Sequence, residues 1–286
     1  MKKVFSLSLI LLSLTIVGII SCKKNESSTT NTTPNVVKST RTAINNVRTF
    51  GTEFSSLGLA GFAYEQGLNH LGQVHNDYQQ TLLTQLYDEH INSVVGNDFI
   101  TNVKLKSISF FNSKQVSIPS GCYQPNFGTS LTEMNIVSSN YSSEGYQLLI
   151  ELKAIMSSPE VENNQNLFAD LESLKQRALN LQSETEVITV GTPIVIAIYS
   201  YNYWKANSST WMTKFNYLKD NNVSNKMKIG WGQLGWADVG GAINGGMKGG
   251  CGGGPAGAAA GAILGASGAS LFNLFGQIAT KDISWW

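Results

Sequence analysis

The sequence predicts an all-α protein, a helical bundle with a C-terminal glycine-rich helical hairpin. Two patterns favour this class. Between residues 69 and 204, apolar residues recur at three- and four-residue steps in successive segments, without a regular alternation of helices and strands. Between residues 240 and 270, small residues recur at every fourth position on both sides of a proline. That spacing lets two helix backbones approach closely.

The first half of the folded region combines clear and weak helical signals. Residues 51–68 mix small and apolar residues and predict a loosely ordered entry to the domain. A helical stripe begins near Asn69, and its members are Leu71, Val74, Tyr78, Leu82 and Leu86. The segment VKLKSISF (residues 103–110) alternates weakly and predicts a short strand. The prolines and glycines of SIPSGCYQPNFG (residues 117–128) are typical of a loop.

Two amphipathic helices are predicted next. The first is EGYQLLIELKAIM (residues 144–156). For the second, Ser158 is the expected N-cap and Pro159 the first helical residue. Its apolar stripe consists of Leu167, Leu171, Leu174, Ala178 and Leu181.

The segment VITVGTPIVIAIYSYNYW (residues 187–204) is ambiguous. Its β-branched residues favour a strand. Ser183 and Glu186 form the pattern of a capping box before it, and this pattern and the segment's length favour a helix. We predict a helix that is kinked near Pro193.

The stretch from Gly240 to Ser270 does not match a nucleotide-binding loop. No convincing strand precedes it, Pro255 interrupts it, and the Gly-Lys-Ser/Thr motif is missing. Its period of four instead predicts helix packing by six glycines, namely Gly241, Gly245, Gly249, Gly257, Gly261 and Gly265. Because a four-residue row drifts around a straight helix, we predict two arms that are hinged at Cys251–Pro255.

The glycine content limits where such a hairpin is stable. Each interior glycine costs a helix about 1 kcal/mol relative to alanine, so the first arm needs close packing or a membrane. The second arm (residues 256–276) has no charge over 21 residues, the length of a membrane-spanning helix. Its few strongly apolar residues make constitutive insertion marginal. Docking on the bundle and conditional insertion both stay open.

The N-terminus has the features of a secretory signal peptide. Lys2 and Lys3 precede a 17-residue apolar run and a small residue before the expected cleavage site. The segment IISCKKNESS resembles the lipobox of bacterial lipoproteins, in which the cysteine, here Cys22, becomes acylated, for example with palmitate. The resemblance implies attachment to a membrane through the lipid. With Lys23 next, it also implies the outer membrane of a Gram-negative bacterium. An uncleaved N-terminal anchor is the alternative.

These features divide the chain into four parts. They are a signal peptide (1–21), a lipidated cysteine with a flexible tether (22–50), a helical domain (51–230) and a glycine-zipper hairpin tail (231–286). Cleavage removes two lysines and lowers the net charge from +1 to −1, which excludes a strongly basic nucleic-acid surface. Cys122 and Cys251 then remain, either as an envelope disulfide or as free thiols.

Residues with catalytic or binding chemistry are sparse. His70, His75 and His90 lack the spacing of metal ligands, and there is no HExxH or CxxC motif, so no metal or cofactor is predicted. His75, Asn76 and Asp77 lie at the edge of an apolar stripe and form a candidate ligand pocket. A half-buried histidine is the alternative. The aromatic residues between Tyr199 and Trp236 suit either a membrane surface or the rim of a bundle.

Four segments carry a family resemblance. GQVHNDYQQTLL, LFADLESL, YSYNYW and WADVGGA, followed by a glycine-rich tail, are together similar to a group of uncharacterised bacterial lipoproteins. That group has a helix with a Gly-x-x-His-Asn pattern and a C-terminal Ala-Asp-x-x-Gly-Ala stretch. The resemblance implies the helical architecture and supplies no activity.

Three functions remain in competition. The first is a non-enzymatic scaffold or binding lipoprotein whose hairpin packs on the helical domain. The second is a membrane-active or self-associating protein, similar to bacteriocins or pore formers, that inserts residues 237–276. The third, favoured least, is an enzyme that uses His75. The expected partners are the membrane, reached through the N-terminal lipid, and a second copy of the chain, bound through the tail.

Overall fold

The computed structural model describes residues 47–91, 97–114, 116, 136–158, 160–217 and 230–279. Within these ranges every regular element is helical, so the predicted all-α class is confirmed. The α-helices are α1 (Tyr64–Ile91), α2 (Asn97–Ser113), α3 (Ser143–Met156), α4 (Leu167–Leu179), α5 (Glu184–Tyr217) and α6 (Trp231–Ala279). The predicted lipidation site Cys22 and the thiol of Cys122 lie outside the described residues, as does the side chain of Cys251.

The entry to the domain is well packed, and the prediction of a loosely ordered segment is wrong. Thr52–Leu57 forms a 3-10 helix, and Phe54 within it and Phe50 just before it are both buried. Gly58 and Gly61 adopt positive φ angles, 68° and 80°, which turn the chain back toward α1. The segment was misread because its core contacts do not follow a helical or strand period.

The predicted strand at residues 103–110 is also wrong, because this stretch belongs to α2. Ser107 and Phe111, one turn apart, face α1 and are buried, whereas Leu105 is 59% exposed. The Tyr78 and Ser107 hydroxyls lie 2.5 Å apart. A polar residue occupies the inner face and an apolar residue the outer one, so the hydrophobic pattern pointed to the wrong period.

Helix α4 has the predicted apolar stripe but begins eight residues later than predicted. Ser158 caps only a local turn, in which its Oγ accepts a hydrogen bond from the Glu160 amide at 3.3 Å. Residues 160–166 form turns instead of a first helical turn. The turn places Glu162 so that its Oε1 accepts a hydrogen bond of 2.7 Å from the Gly232 amide at the start of α6. A carboxylate at this helix end is favourable.

The ambiguous segment at residues 187–204 is helical, as predicted. It lies within α5, which contains Pro193. Its first half is buried on nearly all sides, from Val187 to Ile198. A helix that is apolar all round occupies the centre of a bundle. Helices α1, α4 and α6 pack around it, and α1 contacts it closely where Gly72 lies against the Tyr199 ring.

Helix α6 packs closely on α5 and then doubles back on itself. Its only non-helical residue is Gly254, with φ 61° and ψ −153°. Residues 231–253 form the first arm of this hairpin, and residues 255–279 form the second arm. Residues 257–271 are all buried. No helix within the described ranges has the length and mean hydropathy of a membrane-spanning segment.

Candidate functional site in the glycine hairpin

The two arms of α6 meet through their backbones. Gly241 faces the carbonyl group of Gly265, Gly245 faces that of Gly261 and Gly249 faces that of Gly257, which defines an antiparallel register. A Cβ atom added at Gly241, Gly245 or Gly249 would lie 2.1, 2.0 or 2.0 Å from the carbonyl oxygen of its partner. No side chain larger than hydrogen fits at such distances.

This close approach offsets part of the helix stability that is lost through the glycines. Each facing carbonyl lies in the direction in which a Cβ would point, so the glycine Cα–H groups are directed at carbonyl oxygens. Such contacts contribute about 0.5–1 kcal/mol each. The hairpin thus recovers part of the roughly 1 kcal/mol that each interior glycine costs.

A second row of small residues lies beside the first. A Cβ added at Gly246 would be 3.4 Å from the carbonyl oxygen of Ala258 and 3.6 Å from the Cβ of Ala262. One added at Gly250 would be 3.5 Å from the Cβ of Ala258. These are ordinary contact distances. Adjacent glycines in the same arm therefore differ sharply in how much space surrounds them.

The turn between the arms is shorter than the predicted hinge at Cys251–Pro255. Gly254 alone leaves the helical conformation, and its combination of φ and ψ is essentially limited to glycine. Pro255 starts the second arm, where its fixed φ fits and its missing N–H is not needed. Gly254 therefore ends the first arm and Pro255 begins the second, without a loop between them.

A buried carboxylate fastens the first arm to the bundle. Asp238 Oδ2 accepts hydrogen bonds from Ser200 Oγ at 2.5 Å and from Trp204 Nε1 at 2.8 Å, both on α5. Asp238 Oδ1 lies 3.6 Å from His75 Nε2 on α1. Asp238, Ser200 and His75 are completely buried. The cluster links three helices in a region of low dielectric, where breaking one contact is costly.

A second polar contact fastens the second arm. Gln79 Nε2 on α1 donates a hydrogen bond of 2.8 Å to Ser270 Oγ. His75 and Gln79 are one helical turn apart, so one face of α1 holds both arms. Among the described residues, Gln79 Oε1 and Ser267 Oγ have no hydrogen-bond partner in this interface. Each such buried atom costs about 1–3 kcal/mol.

The candidate pocket at His75, Asn76 and Asp77 is not assembled in this structure. His75 points into the core toward Asp238, whereas Asn76 donates to the backbone oxygen of Tyr199 at 3.2 Å. Asp77 is partly exposed and pairs with Lys114 at 2.6 Å. His75 and Asn76 contact each other, with His75 Nδ1 3.3 Å from Asn76 Oδ1, whereas Asp77 points away toward Lys114, so the three side chains do not line one pocket.

The other candidate groups also have structural environments. His70 is half-buried beside the Phe62 ring, and burial, with a smaller effect from Lys114, lowers the pKa of its imidazole. No group of three or more metal-binding side chains occurs within the described ranges. Comparison with protein-family models, curated proteins and solved structures finds no match, so the resemblance to envelope lipoproteins stays a prediction.

The aromatic residues between 199 and 236 divide between the core and its rim. Trp204 and Trp211 are buried, and Trp211 Nε1 donates to the Tyr203 hydroxyl at 2.9 Å. Burial raises the pKa of Tyr203. Tyr201 and Trp231 instead form an edge-to-face pair at the start of α6, with ring centroids 5.2 Å apart. Trp204, which donates to Asp238, and the Tyr201–Trp231 pair join α5 to the hairpin.

Sequence reasoning missed the residues that make the buried carboxylate cluster. Asp238 lies in an apolar, glycine-rich segment and is followed by no acid until Asp282. A lone acid in such a segment is a signal for a buried, hydrogen-bonded carboxylate. Its partners, Ser200 and Trp204, are four residues apart on α5 and share one face.

The two glycine rows give a matched pair of substitutions. We expect Gly245→Ala to lower the free energy of unfolding by about 1–3 kcal/mol, because its Cβ would overlap the Gly261 carbonyl. Gly246→Ala should leave stability unchanged or raise it by up to about 1 kcal/mol, because it has room and improves helix propensity. Denaturant unfolding of both variants measures the difference. Equal effects would contradict the assigned register.

The Asp238 cluster is tested by a double-mutant cycle. We expect Asp238→Leu to lower the free energy of unfolding by about 2–6 kcal/mol, because the buried donors of Ser200 and Trp204 each lose their acceptor, at about 1–3 kcal/mol apiece. Combined with His75→Leu, the loss should be smaller than the sum of the single losses, with a coupling of about 0.5–3 kcal/mol. Strictly additive losses would show that the contact between Asp238 and His75 carries no energy.

Proposed function

We propose that this protein is a non-enzymatic scaffold or binding lipoprotein of the cell envelope, anchored through Cys22 by a flexible tether. Its glycine hairpin packs on the helical domain. The observation that supports this role most strongly is the enclosure of residues 257–271, which are all buried among helices of the same chain.

The contacts of the hairpin favour a structural role. Its tight glycine row is filled by the opposite arm, and its polar anchors at Asp238 and Ser270 bind α1 and α5. Glu162 caps its first turn. A segment whose close-packing surface is already used within the chain offers no glycine row to a partner in this conformation.

Catalysis by His75 is the least supported alternative. The imidazole has no exposed surface, so a substrate cannot reach it without opening the bundle. Ser200 donates to Asp238 and not to a histidine, which is not the arrangement that activates a serine nucleophile.

A membrane-active role is the second candidate, and one observation favours it. Residues 257–271 of the second arm are all buried, and residues 249–280 carry no charge. A hairpin whose second arm is uncharged is a form from which conditional insertion of residues 237–276 could start, and this insertion would carry Asp238 and Lys248 with it. This role requires the hairpin to leave its contacts with α1 and α5.

Hydrogen exchange with and without lipid separates the two roles. The full chain carrying Cys22→Ser is used, so that the lipid anchor does not bring it to the vesicles. For a scaffold we expect slow exchange at residues 257–271 in water, unchanged by vesicles of phosphatidylethanolamine and phosphatidylglycerol.

Two controls make this exchange measurement decisive. Gly245→Ala should speed exchange in both arms in water, because it weakens their contact, whereas Gly246→Ala should not. Fast exchange in water that slows only with vesicles would reject the scaffold role in favour of membrane insertion.

Anchoring is tested separately in the cell envelope. We expect the native chain to incorporate labelled palmitate and to fractionate with the outer membrane. Cys22→Ser should lose the label and leave the membrane fraction, while Cys122→Ser should keep both, which controls for loss of a thiol. Label retained by Cys22→Ser would contradict lipidation at this position.

A further inference from the structure

One residue joins the two arms of the hairpin. Gly254 has φ 61° and ψ −153°, and its neighbours on both sides are helical. If Gly254 took helical angles, α6 would become one continuous helix and its arms would point in opposite directions. The conformation of a single residue thus decides whether the arms can meet within one chain.

The register allows the same contacts to form between two chains. The facing pairs, Gly241 with Gly265 and Gly249 with Gly257, lie symmetrically about the turn. With α6 straight, the first arm of one copy can pack antiparallel on the second arm of another through identical pairs. Residues 253–256 are exposed or half-exposed, so a straight helix could pass from one domain into the next at this tip.

Pro255 opposes that straightening. Inside a continuous helix it would lack the N–H that bonds the carbonyl four residues earlier, and its ring would clash with that carbonyl. In the bent hairpin Pro255 opens a new helix, where neither problem arises. Gly254 favours the bent form as well, since other residues rarely adopt its angles.

We propose that the Gly254–Pro255 pair keeps the glycine arms closed within one chain, and that without this pair the second arm is exchanged with a second copy of the protein. The exchanged form keeps every contact of the hairpin and changes only the hinge, as expected for domain swapping. This role goes beyond the proposed scaffold function, because it requires neither a lipid nor a ligand.

A disulfide between the arms reports which form is present. In the full chain, with its three native cysteines replaced by serine, Gly246→Cys and Ala262→Cys are introduced. A Cβ at position 246 lies 3.6 Å from the Cβ of Ala262, which suits a disulfide. The protein is purified in mild detergent and oxidised, and its mass is read on a denaturing gel and by light scattering.

With the native hinge we expect the disulfide within one chain and the mass of a monomer. Adding Gly254→Ala and Pro255→Ala should link two chains and double the mass, with helical content maintained in circular dichroism. Gly250→Ala, which adds an alanine away from the hinge, should stay monomeric.

Two results would overturn the proposal. One is a native-hinge chain that is linked as a dimer, and the other is a folded hinge variant that is linked only within itself. If the double hinge variant does not fold, Pro255→Ala alone decides. A dimer fraction that rises with concentration supports the proposal, and a monomer indistinguishable from the native hinge rejects it.

Discussion

The backbone contact between the two glycine arms is the interaction on which the rest of the structure depends. At Gly241, Gly245 and Gly249 the opposing carbonyl oxygens occupy the space that a Cβ would need. The arms can therefore approach more closely than helices that carry side chains at their interface. A pair of helices this narrow fits inside the bundle, where α1 and α5 enclose it.

Small residues alone do not fix how the arms sit in the bundle. If one arm slid along the other by four residues, a row with a four-residue repeat would pack in much the same way, because glycine and alanine are too small to distinguish the two alignments. Hydrogen bonds at Asp238, Ser270 and Gly232 each occur at one register only. We interpret these polar contacts as the feature that selects one alignment, a role attested for buried polar groups in other helical assemblies.

The sequence carried more information on the hairpin than on the first half of the domain. The glycine period and Pro255 predicted two arms, because two helix backbones can approach closely only where small residues recur, and this recurrence is visible in the sequence. The apolar stripe of α4 was visible for a similar reason. The mistakes at residues 51–68 and 103–110 arose where packing does not follow a simple period, as at Ser107, which is buried, and Leu105, which is exposed. The Asp238 cluster joins three helices that are distant in sequence, so no local pattern reveals its partners.

Nuclear Overhauser contacts between glycine Hα atoms test the central claim most directly. In the full chain labelled with isotopes at glycine alone, the two arms can be observed without interference from other residues. We predict cross-arm Hα contacts between Gly245 and Gly265 and between Gly249 and Gly261, in water and without lipid. A Cβ at Gly245 would lie 3.1 Å from the Gly265 Cα, and a Cβ at Gly249 would lie 3.2 Å from the Gly261 Cα. A register shifted by four residues, or the absence of any cross-arm contact, would contradict this prediction.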